Sequence, residues 1–280
     1  GIITNISEAH IENFKNIKGI AKAKAEIIEA IKENGTIIIN RDDRFFSYLS
    51  KKAKLKNLKI VTFGKSKKSD IFPLKVVKRK NISNFFLQAM NEKIDLEIKN
   101  INIYNVLASI AVIKELKLNL SKIKNIFKNF EPTEGRGKIH VISRYNKKFR
   151  LIDESYNANP LSVKNAISRF NTIKKEKFKK YLILGDMLEL GAKSKKYHTD
   201  LSKVINKSNI DKVFIKGEKT LFTYKNLHKI KQGNILQNKD DIDLILSNII
   251  NNNDYLMIKG SNATGLNILS KKMIKGLNVI

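Results

Sequence analysis

Apolar positions along this chain follow two rhythms, and the change between them divides it. In the first part Ile20, Ala23, Ile27, Ile28 and Ile31 recur at helical spacing, predicting a helix over 17–34 that Gly35 stops. Shorter apolar runs predict a strand end at 1–5 and buried strands at 36–39 and 58–63, the last closed by Gly64. A helix is expected over 42–54. Strands over 71–77 and 94–98 are expected to form a flanking sheet around the less regular stretch 81–91, followed by helices at 103–116 and 120–130. The run Glu131-Pro132-Thr133-Glu134-Gly135-Arg136-Gly137 is the clearest break in pattern, and the domain boundary is placed there, giving domains 1–134 and 135–280. Beyond it, strands at 139–143, 150–152, 181–184, 212–215 and 255–258 alternate with helices at 160–173, 194–206, 240–251 and 264–275. Such alternation predicts an α/β fold whose second domain is Rossmann-like, a largely parallel sheet covered by helices.

Composition narrows the class. A chain of 280 residues suits two domains, and 42% hydrophobic with 29% charged residues fits a soluble globular protein. No apolar run approaches the roughly 20 residues a membrane span needs, and Gly1-Ile2-Ile3 does not open a secretory signal. The absence of cysteine excludes disulfides, thiolate metal sites and a cysteine nucleophile. A cytoplasmic monomer is the simplest expectation. The net charge of +29 points first to nucleic acid, yet only seven of the 55 basic residues are arginine. Lysine is spread through every segment alongside abundant Ile and Asn, as compositional drift would leave it. A specific nucleic-acid binder would cluster its charge and interleave aromatics, so that function is disfavoured.

Two strand-to-loop passages gather candidate chemistry. Phe149, Leu151 and Ile152 lead into Asp153-Glu154-Ser155-Tyr156-Asn157, with Asn159 and then Pro160 suited to the first turn of a helix. Leu182-Ile183-Leu184 runs into Gly185-Asp186-Met187-Leu188-Glu189-Leu190-Gly191, and His198 follows. Polar groups at the carboxyl ends of strands are where open α/β sheets hold ligands, although Asn and Asp also suit ordinary turns. Gly64-Lys65-Ser66 imitates the end of a phosphate-binding loop. The required G-x-x-x-x-G-K-[ST] fails, because Lys59 stands at the first glycine and a strand rather than a helix follows.

The SYNAN and GDMLELG passages, with Thr4-Asn5-Ile6-Ser7-Glu8-Ala9-His10, Ala23-Lys24-Ala25-Glu26 and Lys259-Gly260-Ser261, resemble the Mur ligases over essentially the whole chain. The two long motifs look like the branch that adds D-alanyl-D-alanine to UDP-N-acetylmuramoyl-tripeptide, and argue against sister ligases and folylpolyglutamate synthase. The resemblance implies a partial central ATPase domain, without its P-loop portion, followed by the Rossmann-like domain. It implies ATP and Mg²⁺ as cofactors and an acyl phosphate route to the amide. By the same resemblance His10 and a carbamylated Lys24 hold magnesium, and Asn105, Arg136, Glu154, Tyr156 and Asn157 meet ATP. Asn159, Asp186, Glu189, His198, Lys259 and Ser261 line the substrate site. Departures are Ser7 for Gly, Glu154 for the motif's second Asp, Ile101 for a His before Asn105, and Asn262 for an Arg. The chain is expected to begin inside the ATPase domain and to perform no ligation alone. A non-catalytic nucleotide- or nucleic-acid-binding module is the alternative, and tight, salt-sensitive nucleic-acid binding would distinguish it.

Overall fold

In the computed structural model, which describes residues 1–78, 82–99, 102–174, 177–238 and 240–276, the chain forms two compact units. One comprises Gly1–Ser7 and Phe14–Glu131, the other Glu8–Asn13 and Pro132–Ile280. The break at Glu131–Pro132 lies in the expected breaker run, while Glu8–Asn13 groups with the second unit.

The first unit is one six-stranded sheet in chain order: β1 (Ile2–Ile3), β2 (Thr36–Asn40), β3 (Lys59–Phe63), β4 (Ile71–Lys78), β5 (Ile82–Ala89) and β6 (Glu92–Lys99). β1 to β4 run parallel, and β4, β5 and β6 form an antiparallel meander. The strands expected as a separate flanking sheet therefore extend the main one. β5, which fills the irregular stretch between them, was hidden because Phe85 and Phe86 are consecutive and blur the alternation. Positions 81 and 101, on which two expectations fell, lie outside the described residues. Helices α1 (Ile17–Ala30), α2 (Phe46–Leu55), α3 (Ile103–Glu115) and α4 (Lys124–Asn129) cover the sheet. Leu87, Leu96, Leu107 and Ile110 pack with Phe63 and Ile71 in its core. α2 starts later than its pattern predicts because Asp43 is used elsewhere, accepting the N–H groups of Ile6 at 2.7 Å and Phe45 at 2.8 Å.

The second unit alternates as expected: β7 (Lys138–Arg144), β8 (Lys147–Glu154), α5 (Pro160–Thr172), β9 (Lys180–Gly185), α6 (Ser194–Asn206), β10 (Lys212–Lys216), α7 (Thr220–Tyr224), β11 (Gln232–Ile235), α8 (Asp240–Leu244), β12 (Tyr255–Lys259) and α9 (Leu266–Ile274). α8 continues through a π turn at Ile245–Ile249. The sheet order is β11-β10-β9-β12-β8-β7, parallel except for β7 against β8. α7 and β11 went unpredicted because they are short and β11 reads Gln-Gly-Asn-Ile, with no apolar run. The insertion of β12 between β8 and β9 makes a topological switch point, with the two polar passages and Lys259-Gly260-Ser261 at the strand ends around it. No described helix is long and apolar enough to cross a membrane.

Candidate functional site

Three loops leave the carboxyl ends of β8, β9 and β12, and buried hydrogen bonds tie them together. Ser261, 4% exposed, donates its N–H to Asp186 O at 2.9 Å. Its hydroxyl accepts the Leu188 N–H at 2.9 Å and donates to Ala158 O at 3.3 Å. One side chain thus joins all three loops. His198 on α6 has no exposed surface. Its Nδ1–H donates to Ser194 O at 2.8 Å, which leaves Nε2 to accept the Met187 N–H at 3.0 Å. Burial holds its pKa below the ordinary imidazole value, with Lys219 acting in the same direction and Ser194 and Asp186 opposing. Asp186 accepts the N–H groups of Thr220 at 2.7 Å and Lys219 at 3.2 Å. Gly217, at φ +119°, lets this carboxylate approach, since a Cβ there would lie 2.4 Å from it. Asn159 caps α5, accepting the Ser162 N–H at 2.9 Å while Ser162 Oγ accepts the Asn159 N–H at 3.0 Å.

The charged groups of the first loop are equally committed. Asp153, 1% exposed, accepts the Gly135 N–H at 2.8 Å and the Ser155 hydroxyl at 2.5 Å, fastening the Gly135–Gly137 turn to the end of β8. Glu154 pairs with Arg169 of α5 and lies 3.7 Å from the Lys259 ammonium, its direct cross-strand neighbour in register. Lys259 also donates to Asn157 O at 2.7 Å and Glu154 O at 3.2 Å. Burial pushes its pKa below the ordinary lysine value, and Glu154 opposes that shift. Arg136, at the exposed turn, lies over the half-exposed ring of Tyr156, 4.1 Å from its centroid. Asn157 is exposed, with Oδ1 accepting the Ala158 N–H at 2.8 Å.

Glu189 pairs with His10, both in left-handed backbone conformation at φ 59° and 54°. A second link, Glu12 N–H to Glu189 O at 3.0 Å, seats the Glu8–Asn13 segment on this loop. Lys24 stands on the exposed face of α1 in the first unit. Asn105 is exposed in the first turn of α3, beyond the Asn102 cap. The Gly64-Lys65-Ser66 turn is not a phosphate cradle, because its N–H groups already have an anion: Asp42 accepts from Lys65 at 2.5 Å and Ser66 at 3.3 Å. Asp42 also accepts the Tyr104 hydroxyl at 3.1 Å, and burial followed by this carboxylate pushes the Tyr104 pKa up to about 12.

The structure thus sorts the expected site residues. Ser261, His198, Asp186, Asn159, Lys259 and Glu154 are committed to hydrogen bonds and ion pairs inside the unit. Arg136, Tyr156, Asn157 and Glu189 present surface. Ser261 and His198, expected at the substrate site, are buried and hydrogen-bonded to the loops. Arg169 and Asp42 escaped the sequence reading, since their only signal there was charge. For a divalent ion the fit is poor: among the described residues no three His, Cys, Asp or Glu groups gather as a metal site. An ammonium at Lys24 is no ligand for a hard cation.

Comparison with known proteins places these features. The Mur ligase middle domain profile matches residues 1–113, and the Mur ligase glutamate ligase domain profile matches residues 123–262. The chain is 31% identical to UDP-N-acetylmuramoyl-tripeptide--D-alanyl-D-alanine ligase of Buchnera aphidicola from Acyrthosiphon pisum, over 98% of this chain but 59% of that protein. Among solved structures, MurF of Acinetobacter baumannii superposes with a TM-score of 0.81 at 24% identity, covering 98% of this chain and 59% of that one. MurF ligase of Thermotoga maritima in complex with ADP gives a TM-score of 0.81 at 21% identity, covering 98% and 61%. The chain therefore spans about three-fifths of the length of the relatives it matches.

Proposed function

The chain belongs to the Mur ligase family, and from that premise we propose that it carries part of an ATP-dependent ligase joining D-alanyl-D-alanine to UDP-N-acetylmuramoyl-tripeptide in peptidoglycan precursor synthesis. Residues 1–134 would be the ATP-binding part and 135–280 the part that meets the acceptor. The observation that carries this reading is the braced rim at the ends of β8, β9 and β12, where buried groups hold Arg136, Tyr156 and Glu189 at the surface. A rim fixed by its own hydrogen bonds is preorganised, so little reorganisation opposes ligand binding or charge stabilisation.

In this reading the tripeptide carboxylate attacks the γ-phosphate of ATP, breaking its bond to the β-phosphate and giving an acyl phosphate and ADP. The D-alanyl-D-alanine amine then displaces phosphate to form the amide. Charge spreads over the transferred group, so the protein's task is positioning and electrostatic stabilisation. Arg136 suits the polyphosphate because its guanidinium forms paired hydrogen bonds to phosphate oxygens. The exposed amide of Asn105 suits a nucleobase edge, since it both donates and accepts. Tyr156, under Arg136, and the exposed Asn157 that follows it in sequence would complete the nucleotide contacts. Glu189, half-exposed beside Leu188, suits the acceptor's ammonium. Glu154, Asn159, Asp186, His198, Lys259 and Ser261 act by shaping the rim. Lys24 as an ammonium is no ligand for a hard cation, so no step is routed through the metal. Lys24 becomes an oxygen ligand only if CO₂ converts its amine to a carbamate.

Saturable binding of a fluorescent ATP analogue, competed by ATP and weakened about tenfold in Arg136→Met, is the expected result. Absence of saturable nucleotide binding would overturn the reading.

A further inference from the structure

We propose that Arg169 is a positioning residue: by taking the Glu154 carboxylate it leaves the Arg136 guanidinium free on the Tyr156 ring to meet an incoming polyphosphate. The inference deepens the nucleotide reading above and rests on it for the identity of the anion.

Two cations pair with one buried carboxylate, and a third stands on the turn beside it. Glu154 ends β8 with 7% of its surface exposed. Arg169, from the last turn of α5, pairs with its Oε1, and the Lys259 ammonium lies 3.7 Å from Oε2. The third cation belongs to the Gly135–Gly137 turn, which lies on the same carboxylate: a Cβ at Gly137 would be 3.0 Å from Glu154 Oε1. A buried carboxylate left short of partners draws in the nearest guanidinium, because an uncompensated buried charge is strongly destabilising. Arg136 is adjacent to Gly137, yet it is exposed and stacked 4.1 Å from the Tyr156 centroid. Arg169 and Lys259 already satisfy Glu154. Lys259 is further restrained by the carbonyls of Glu154 and Asn157, so it does not supply the second carboxylate oxygen at full strength. Arg169, in direct contact with Oε1, is the closer partner. Without it, Arg136 turns inward onto Glu154 and the surface loses its phosphate donor.

The test uses the 280-residue chain with ¹⁵N-labelled arginine, Arg136→Lys assigning the Arg136 Nε–Hε signal. In the wild type this proton is expected to be displaced upfield by the Tyr156 ring current. Arg169→Met is expected to abolish the displacement and to lower ATP affinity about tenfold, while Arg169→Lys keeps both close to wild type. If Arg169→Met does not fold, the double variant Glu154→Gln/Arg169→Met decides. With no carboxylate to claim Arg136, it should show the wild-type displacement. An Arg136 proton unmoved in Arg169→Met overturns the proposal even if ATP affinity falls, since Arg169 would then be a direct ligand. Loss of the displacement in the double variant also overturns it. Failure of the wild-type chain to bind ATP would defeat the nucleotide reading, whereas the Nε–Hε signal would still decide the role of Arg169.

Discussion

His198 has no exposed surface, and the allocation of its two nitrogens shows why the ring must stay neutral. Nε2 accepts the Met187 N–H, a bond that protonation would destroy. Its pKa is held below the ordinary value of 6.5, so the unfolded chain binds the proton more readily than the folded one. Stability is therefore complete above about pH 6.5 and falls as pH drops toward the folded value. Thermal midpoints between pH 7.5 and 5.5 should decline, and His198→Ala should flatten its share of that decline. The same variant should lose about 1–3 kcal/mol at pH 7.5 by leaving the Met187 N–H unpaired. Glycine positions offer a second test at this scale. Gly135 has φ +74° and a Cβ there would lie 2.9 Å from Tyr156 Cβ, whereas Gly276 at φ +67° meets nothing within 4 Å. Gly135→Ala should cost more than Gly276→Ala, which carries only the backbone strain of about 1 kcal/mol. Equal midpoints would show that the turn gives way.

At the level of elements, the ends of strands and helices determine the site. Pro160 and the Asn159–Ser162 capping box start α5 immediately after the first loop, so that loop has no slack. Asn159→Ala should lower unfolding free energy by about 1 kcal/mol in a denaturant titration. A residue acting only on substrate would leave it unchanged. Ser261 acts across elements. Its hydroxyl is the acceptor for Leu188 N–H, and Ser261→Ala should speed hydrogen exchange at that amide while core amides of β9 stay protected. Unaltered exchange at Leu188 would mean the loops hold without the tie. β9 itself is buried at every position, including Lys180, whose ammonium donates to Phe170 O and Asn209 Oδ1, both at 2.9 Å. A lysine that reads as surface in a lysine-rich chain here caps the end of α5.

Over the whole molecule, charge matters more than any single ion pair. Exposed pairs such as Lys124–Asp95 at 2.7 Å and Lys128–Glu97 at 3.0 Å contribute little each. A net charge of +29 repels itself throughout the chain. Raising salt from 20 to 300 mM should screen that repulsion and stabilise the fold by about 1 kcal/mol, a rise of about 2–4 °C in thermal midpoint. A midpoint that falls with salt would mean specific pairs outweigh the net charge. Each unit has its own core, around Phe63 and Leu107 in one and around Phe149, Tyr181 and Leu256 in the other.

Periodicity alone determined most of the architecture. Helical spacing and strand-helix alternation express which face of each element is buried, and that information is local. The SYNAN and GDMLELG passages were legible for the same reason, as contiguous polar loops placed directly after apolar runs. Their division of labour was not. Whether Glu154 or Lys259 meets a ligand or a neighbour depends on groups 105 residues apart in sequence. Only pairing of β8 with β12 makes them adjacent. The same holds for Asp42, which folding brings against Lys65 and Ser66 to occupy the false phosphate loop, and for Arg169 beside Glu154. Burial and long-range partnership decide the state of a charged group, because desolvation must be offset by a specific neighbour. That neighbour is chosen by the tertiary fold.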